Sequence, residues 1–348
     1  MSYTRPEYSR SKVNQAGDIL ISNKATLAQL EEARTVLNNW RASHAYPLNT
    51  FNSTLRDRLK SSRMKAIVAQ RLKRLISIEN KLQKQKSMNL SRMQDIGGLR
   101  AIVSDIRNVK RLQKIYLSAK QFPHALASSD DYILRPKDDG YRSIHLIYKY
   151  KNALRPEYDG LQIELQIRTR LQHIWATAVE TMGTYLGQAL KSGQGEKKWK
   201  DFFAIVSSGF AYKEHTPVIP KFAHLNEKRT YTAIARIENS IRAIATMEGY
   251  NVSLNHIEHK GKGYSYHLIA LDSLRNSVSI KSYARDGFKN ATKDLAILET
   301  RAAEGATIEP VLVSAGDIAS LKKAYPNYFG DVKDFISEVN AIVKANNS

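Results

Sequence analysis

The chain contains no cysteine. Disulfides and cysteine-ligated zinc or iron–sulfur sites are thereby excluded, and a cytoplasmic location is the natural expectation. No run of about 18 apolar residues is present, so no membrane span is expected. The first residues, Met1 to Pro6, are polar and lack the apolar stretch of a signal peptide. The glycines form neither a P-loop nor a GxGxxG turn. The nine histidines are scattered, with no HExxH and no His-Asp dipeptide of the metal-hydrolase kind. A serine nucleophile with a histidine base has no recognisable setting. Low-complexity tracts and internal repeats are also missing.

What remains is basic. The 348 residues suffice for two domains of roughly 100–200 residues each. They carry a net charge of +21, and residues 223–348 hold 16 Lys and Arg against 14 Asp and Glu. Nearly all the excess therefore sits in the first 222 residues. Such a field draws polyanions, nucleotides or RNA, although charge alone is also compatible with a merely soluble surface.

Helical spacing of Leu27, Leu30, Ala33, Leu37 and Trp40 predicts an amphipathic helix over 26–42. Residues 54–86 read as a second, very basic helical stretch, and 107–121 as another helix. A Gly97-Gly98 break precedes a short β-prone run, Leu99–Val103. The clearest strand is 161–169. Leu161, Ile163, Leu165 and Ile167 face one side, while Gln162, Glu164, Gln166 and Arg168 face the other. Polar-out alternation by itself points to a solvated face. A helix is expected over 170–189. Two prolines in 213–220 mark a domain boundary, dividing the chain into 1–215 and 216–348. Beyond it a helix is expected at 225–248 and strands at 250–258, 263–271 and 276–283. A helix at 286–304 and a strand near 307–314 follow.

The candidate chemistry is that of phosphate, carboxylate and cation. Asp95 precedes the glycine break, and Glu164 sits on the polar strand face. Two carboxylates at neighbouring strand ends suit Mg²⁺, which takes one or two carboxylates together with phosphate oxygens. Arg71, Lys73, Ser77 and Lys81, placed on one helical stretch, would clasp a triphosphate. The turn 135–145 offers the Tyr141 ring for stacking on a base, with several donors around it. Taken singly, each of these features has a plainer explanation as solvated or packed surface.

Together and in order, they resemble the RelA/SpoT synthetase domain. The matching pieces are Arg71-x-Lys73-x-x-x-Ser77-x-x-x-Lys81, Met93-Gln-Asp95-Ile-Gly-Gly-Leu-Arg100, Arg135-Pro-Lys137-x-x-Gly140-Tyr141-Arg-Ser-x-His145, and Glu164-Leu-Gln166-Ile-Arg168-Thr169. Asn39-Trp40-Arg41-x-x-His44 is similar to one branch of that family. The resemblance implies an α+β fold, a mixed β-sheet flanked by helices and nucleotidyltransferase-like, with a smaller α/β C-terminal domain. It implies a Mg²⁺-dependent pyrophosphokinase in which Asp95 and Glu164 are catalytic and hold the metal. Glu164 would also act on the attacking ribose hydroxyl. Arg71 and Arg100 would flank the ATP adenine, and Lys73, Ser77 and Lys81 would bind its phosphates. Tyr141 would stack on the acceptor base, with Lys137, His145, Gln166 and Arg168 completing that pocket. One departure is Asp139, where the family usually has Asn before the Gly-Tyr; it brings negative charge towards the acceptor. The His-Asp hydrolase of the long bifunctional members is absent, so alarmone breakdown is not expected.

In the second domain, Ala324-Tyr325-Pro326-Asn327-Tyr328-Phe329 resembles the YxxY element of CapRel-type fused toxin–antitoxin proteins. That likeness implies transfer of diphosphate to the 3′-terminal adenosine of tRNA, so that translation stops. It also implies autoinhibition through Tyr325 and Tyr328 in the ATP site and release by a phage protein, a capsid protein being one candidate. Without the likeness, two tyrosines three apart are first of all packing residues. The alternative acceptors are GTP, GDP or an adenine nucleotide, making the chain an alarmone synthase. A third reading, RNA binding on an inactive scaffold, is disfavoured by the two carboxylates. No membrane or DNA partner is expected.

Overall fold

The computed structural model describes residues 3–119, 122–189, 194–252, 255–258, 264–272, 275, 277–284, 286–306, 308–314, 322, 325 and 331–347. Nine strands form one mixed sheet: β1 Ala66–Leu72, β2 Gly97–Val103, β3 Ala125–Asp131, β4 Ile144–Lys149, β5 Gln162–Thr169, β6 Asn255–Glu258, β7 Tyr264–Asp272, β8 Ser277–Ala284 and β9 Ile308–Ser314. The spatial order is β3-β4-β5-β2-β1-β9-β7-β8-β6. The β2–β5 and β6–β8 pairs are parallel; the other pairs are antiparallel. The fold is therefore α+β.

One face is closed by helices. Helix α1 (Arg10–Leu20), α2 (Leu27–Ser43), α3 (Ala45–Ser61), α4 (Leu75–Lys84) and α5 (Ile106–Leu117) put Leu37, Phe51, Leu55, Ile78 and Leu112 into one core with Leu99, Ala101, Leu165 and Ile167 of the strands. Helix α2 begins at a reciprocal cap: the Thr26 hydroxyl accepts from Gln29 N–H, and the Gln29 amide oxygen accepts from Thr26 N–H. Helix α10 (Phe288–Ala303) continues this layer, since Phe288, Ala291 and Leu295 join the same core. Close packing also accounts for Gly97. A Cβ there would stand 2.8 Å from Ile163 Cδ1.

A second apolar cluster joins α6 (Arg170–Ala189) and α7 (Gln194–Lys213) to α8 (Glu227–Ile241), α9 (Ala243–Val252) and α11 (Lys333–Asn347). Trp175, Phe202, Phe203, Phe210 and Phe335 are its large members. The helix expected over 225–248 is divided at Arg242, which has φ 50° and ends α8 in the left-handed region.

The expected helix over 54–86 is a correction. It resolves into the end of α3, strand β1 and helix α4. The β-prone Ala66-Ile67-Val68 run pairs along its whole length with β2, and that ladder outweighs helical propensity. The expected boundary at 215/216 follows α7, and the sheet runs across it: β9 pairs with β1 through Gln70↔Ser314 and Arg71↔Val313.

His44 is 1% exposed beneath this sheet, with Nδ1 2.8 Å from the Trp40 carbonyl oxygen. Burial pushes its pKa down to about 4, while the Trp40 contact opposes the shift. A histidine lowered on folding takes up its proton first in the unfolded chain. Stability should therefore be fully present above about pH 6.5 and lost between there and about pH 4, by about 3 kcal/mol from this residue. Thermal unfolding at pH 7 and pH 4.5 checks this against His44→Asn, which keeps a donor for Trp40. Equal losses in the two proteins would exclude His44 as the source.

Candidate active site

The other sheet face carries most of the strand-borne candidate residues. Across β1, β2, β5 and β4 the register puts Arg71 opposite Gly98, Gly98 opposite Glu164, Arg100 opposite Gln166 and Gln166 opposite His145. The polar side of β5 is only partly solvated: Gln162 and Gln166 are half-buried, and Glu164 and Arg168 are buried. Glu164 is 8% exposed and Arg168 2%, because α6 and the 135–145 turn close over this end of the strand.

Glu164 lies at the end of a hydrogen-bonded series. Its Oε1 is 2.8 Å from His145 Nδ1, and its Oε2 accepts from Gln166 Nε2 at 2.8 Å. His145 Nε2 is 2.8 Å from the Tyr141 hydroxyl. An imidazole donating from Nδ1 accepts the phenol hydrogen at Nε2, so the three groups have one consistent arrangement of protons. Burial raises the Tyr141 phenol; Arg168 opposes that and Glu164 adds to it. The phenol thus stays protonated and available as a donor. Lys137 Nζ stands 5.3 Å from the centre of the Tyr141 ring and 4.4 Å from that of Tyr132.

The turn that presents Tyr141 depends on its glycine. Gly140 has φ +101°, and a Cβ there would meet Ser207 Cβ and Trp175 Cζ2 at 2.8 Å each. Asp139 is exposed, and its Oδ1 accepts the Tyr141 N–H at 2.9 Å. That contact is an Asx turn, which Asn or Asp makes equally well, so this departure is accommodated locally. Arg142 anchors the turn from beneath, donating to Ser207 Oγ and to the Pro217 carbonyl.

Asp95 lies two residues before β2. Its two oxygens accept from Lys73 Nζ at 2.8 Å and Lys81 Nζ at 2.9 Å. Burial pushes this carboxyl upward; the two ammonium groups outweigh that and hold it below the usual carboxylate range. Arg71 is on β1, Lys73 follows that strand, and Ser77 and Lys81 are on α4, so this set does not share one helix. Arg71 and Arg100 are diagonal neighbours on adjacent strands, about 7–8 Å apart. That spacing admits one aromatic ring between two guanidinium planes.

Arg168 is buried with its guanidinium against His173, and burial lowers its pKa to about 9, with Arg100 contributing. Tyr325 is 3% exposed and belongs to no helix. It packs in an apolar cluster with Ala69, Val311 and Val313, and its hydroxyl donates to the Gln70 carbonyl at 2.8 Å. Tyr328 lies outside the described residues.

Among the described residues no three His, Asp or Glu side chains are placed to hold a metal ion. A cation here would rest on Asp95 and Glu164 alone, with phosphate oxygens supplying the other ligands. That donor set fits Mg²⁺, which is bound in this way at nucleotide sites.

Sequence reasoning missed Arg41, Glu299 and Glu309. Arg41 lies within the Trp40-Arg41-x-x-His44 pattern but had no role attached to it. Its guanidinium makes two 2.6 Å contacts with the Glu299 carboxylate of α10, and both side chains are 5% exposed. The Glu299 Oε1 also accepts the Leu75 N–H at the start of α4. Arg74 pairs with Glu309 of β9 at 2.6 Å. Two acids from the C-terminal part thus meet Arg41, whose Nη1 lies 3.5 Å from the Lys73 carbonyl oxygen, and Arg74, the residue after Lys73. A partner more than 200 residues away leaves no local sequence signal.

Residues 70–188, about a third of the chain, match the family model described as a region found in RelA / SpoT proteins. The chain is 32% identical over 123 residues to the GTP pyrophosphokinase of Photobacterium angustum, covering 35% of this chain and 15% of that protein. It is 33% identical over 113 residues to the GTP pyrophosphokinase YjbM of Bacillus subtilis, covering 32% of this chain and 52% of that one. The chain thus spans about half, or less, of the length of these relatives. The crystal structure of the small alarmone synthetase 2 from B. subtilis aligns with a TM-score of 0.44 at 21% identity, over 51% of this chain and 94% of that one. No helix among the described residues is long and apolar enough to cross a membrane. Every catalytic and nucleotide-binding candidate falls inside the matched residues 70–188.

Proposed function

We propose that this chain, with a RelA/SpoT region at its centre, is a cytoplasmic pyrophosphokinase that moves a diphosphate from ATP to a ribose 3′-hydroxyl. The observation that carries the reading is the series Tyr141–His145–Glu164 on the same sheet face as Arg71 and Arg100. Glu164 takes the proton of the ribose hydroxyl. The ribose oxygen bonds to the β-phosphorus, the bond from that phosphorus to the bridging oxygen of the α-phosphate breaks, and AMP leaves. Positioning and charge neutralisation are most of what such a transfer needs from a protein. Lys73, Ser77 and Lys81 bind the ATP phosphates, with the lysines exchanging Asp95 for phosphate oxygens. Asp95 and Glu164 would hold Mg²⁺, which would supply charge neutralisation at the phosphates. Arg71 and Arg100 flank the adenine. Tyr141, backed by Lys137, stacks on the acceptor base; Gln166 orients Glu164, and Arg168 completes that pocket.

The acceptor in this reading is the 3′ end of tRNA, for which the basic first two thirds of the chain speak. The names of the relatives favour a second acceptor, GTP or GDP. The C-terminal residues 216–348 act as an inhibitor that a phage protein releases. Tyr325, buried beside Arg71 on the face that would receive the adenine, supports this.

The test uses the full chain, because α10 contributes to the shared core and truncation would open it. Wild type and Tyr328→Ala are incubated with ATP labelled in the β-phosphate, with deacylated tRNA or GTP as acceptor. Label on tRNA is expected, and more of it with Tyr328→Ala. Label on GTP alone would select the second acceptor. Label on neither would overturn the enzymatic reading.

A further inference from the structure

Upstream of Glu164 the same sheet face opens into a groove of about 1260 Å³ that none of the assigned roles uses. Its floor is Gln162 of β5, Lys149 of β4 and the start of β3, which the register places side by side. Its wall is the segment from Lys84 to Gln94, linking the end of α4 to Asp95. Gln162 and Glu164 are two residues apart on one strand face, about 7 Å. One end of the groove therefore abuts the reaction centre, and the other leaves over β3, the edge strand of the sheet. The acceptor-base site at Tyr141 lies on the opposite side of Glu164, where the register continues to Gln166 and His145.

The lining is one-sided in charge. Lys84, Lys86, Arg92 and Lys149 contribute four cations, and no lining residue is acidic. None of the four forms an ion pair with another described residue. Four other cations near the site are paired with carboxylates: Lys73 and Lys81 with Asp95, Arg74 with Glu309, Arg41 with Glu299. Four uncompensated cations in a trough raise each other's energy unless a polyanion shares it. Neutral donors, Gln162 among them, alternate with the cations, and Leu126 on the rim is 45% exposed. Cations for phosphates, amides for sugar hydroxyls and a flat apolar contact for a base are the requirements of a polynucleotide strand. The volume also exceeds the roughly 300–1,000 Å³ that a small-molecule site takes.

We infer that this groove carries the phosphodiester backbone of an RNA acceptor and delivers its 3′-terminal ribose to Glu164. The inference rests on the pyrophosphokinase reading and names the acceptor class for that site. It separates two functions on one sheet face. Residues downstream of Glu164 hold the terminal nucleotide, and the groove upstream of it holds the strand.

The test is Lys86→Glu/Arg92→Glu/Lys149→Glu in the full chain. All three side chains are exposed, so the fold is expected to survive, with an unchanged melting temperature as the control. Binding of deacylated tRNA, and of a short single-stranded RNA ending in the same 3′ nucleotides, is followed by fluorescence anisotropy across a salt series. ATP binding is measured in parallel. The triple variant should bind both RNAs at least about tenfold more weakly. The slope of log affinity against log salt should shrink by about 2, one step of about 0.7 per lost phosphate contact. ATP binding should not change. RNA binding equal to wild type overturns the groove assignment and leaves the pyrophosphokinase reading intact. Equal loss of ATP and RNA binding also overturns it, because the effect is then a general one of charge. If the wild-type chain binds no RNA yet labels GTP, the groove assignment fails while the enzymatic reading stands.

Discussion

Glu164→Gln is expected to lower diphosphate transfer by about three orders of magnitude or more while leaving the fold intact. A positioned general base contributes about 10²–10⁴-fold, and this residue is also one of two proposed metal carboxylates. The substitution keeps the shape of the side chain, so packing against the neighbouring strands is preserved. What changes is donor and acceptor. Glu164 accepts from His145 on one oxygen and from Gln166 on the other. A glutamine can accept at only one of these places; at the other its NH₂ faces a donor. Either Gln166 flips, which disturbs its 3.4 Å contact with Arg100 Nε, or His145 changes tautomer, which reverses its hydrogen bond with Tyr141. The loss should therefore fall on kcat, with the ATP dissociation constant within a few-fold of wild type. Initial rates with β-labelled ATP, alongside equilibrium ATP binding, separate the two. A rate within tenfold of wild type in a folded Glu164→Gln protein would sink the assignment of the base. Asp95→Asn should fail differently. It removes the shared counter-ion of Lys73 and Lys81, so ATP binding should shift together with the rate.

The Glu164 region was legible because its signals are local. A period-2 alternation over 161–169 gave β5 to within a residue, and the Gly97-Gly98 break marked the start of β2. The helices at 27–43, 106–117 and 288–303 followed from spacing alone. Two kinds of information were not local. Strand β1 was hidden because Arg71, Lys73, Ser77 and Lys81 fall at intervals close to a helical repeat. Only pairing with β2 shows that Arg71 belongs to a strand. The polar face of β5 read as solvated because its cover, the Tyr141 turn and α6, comes from other parts of the chain. The same holds for the contact of His145 with Glu164 as well as with Tyr141; a register of strands, not a spacing, brings His145 and Glu164 together. The joining of β9 to β1 likewise has no trace in either segment's pattern.

That joining makes Glu299 the second residue with a large expected effect. Glu299→Ala should destabilise the protein by about 3–5 kcal/mol, the range for removing one partner of a buried pair. The Arg41 guanidinium would remain 5% exposed with no carboxylate, and the Leu75 N–H would lose its acceptor at the start of α4. The size of the effect reflects the charge left behind and says little of the pair's net worth. Arg41→Met/Glu299→Leu should therefore recover most of the loss, since an apolar pair of similar volume has no charge to strand in the core. Denaturant titration of the wild type, both single variants and the double variant gives the coupling directly. Single variants within about 1 kcal/mol of wild type, or a coupling near zero, would show that the contact is not a structural latch. The double variant has a second use. It keeps α10 packed but removes both the Glu299 carboxylate and the Arg41 guanidinium, whose Nη1 lies 3.5 Å from the Lys73 carbonyl oxygen. If the ion pair itself ties the C-terminal part to the segment that carries Lys73, transfer should rise in this stable protein; if packing alone restrains it, transfer should stay at the wild-type level. Either result separates the ion pair from packing at the contact that joins α2, α4 and α10, two residues from a lysine assigned to the ATP phosphates.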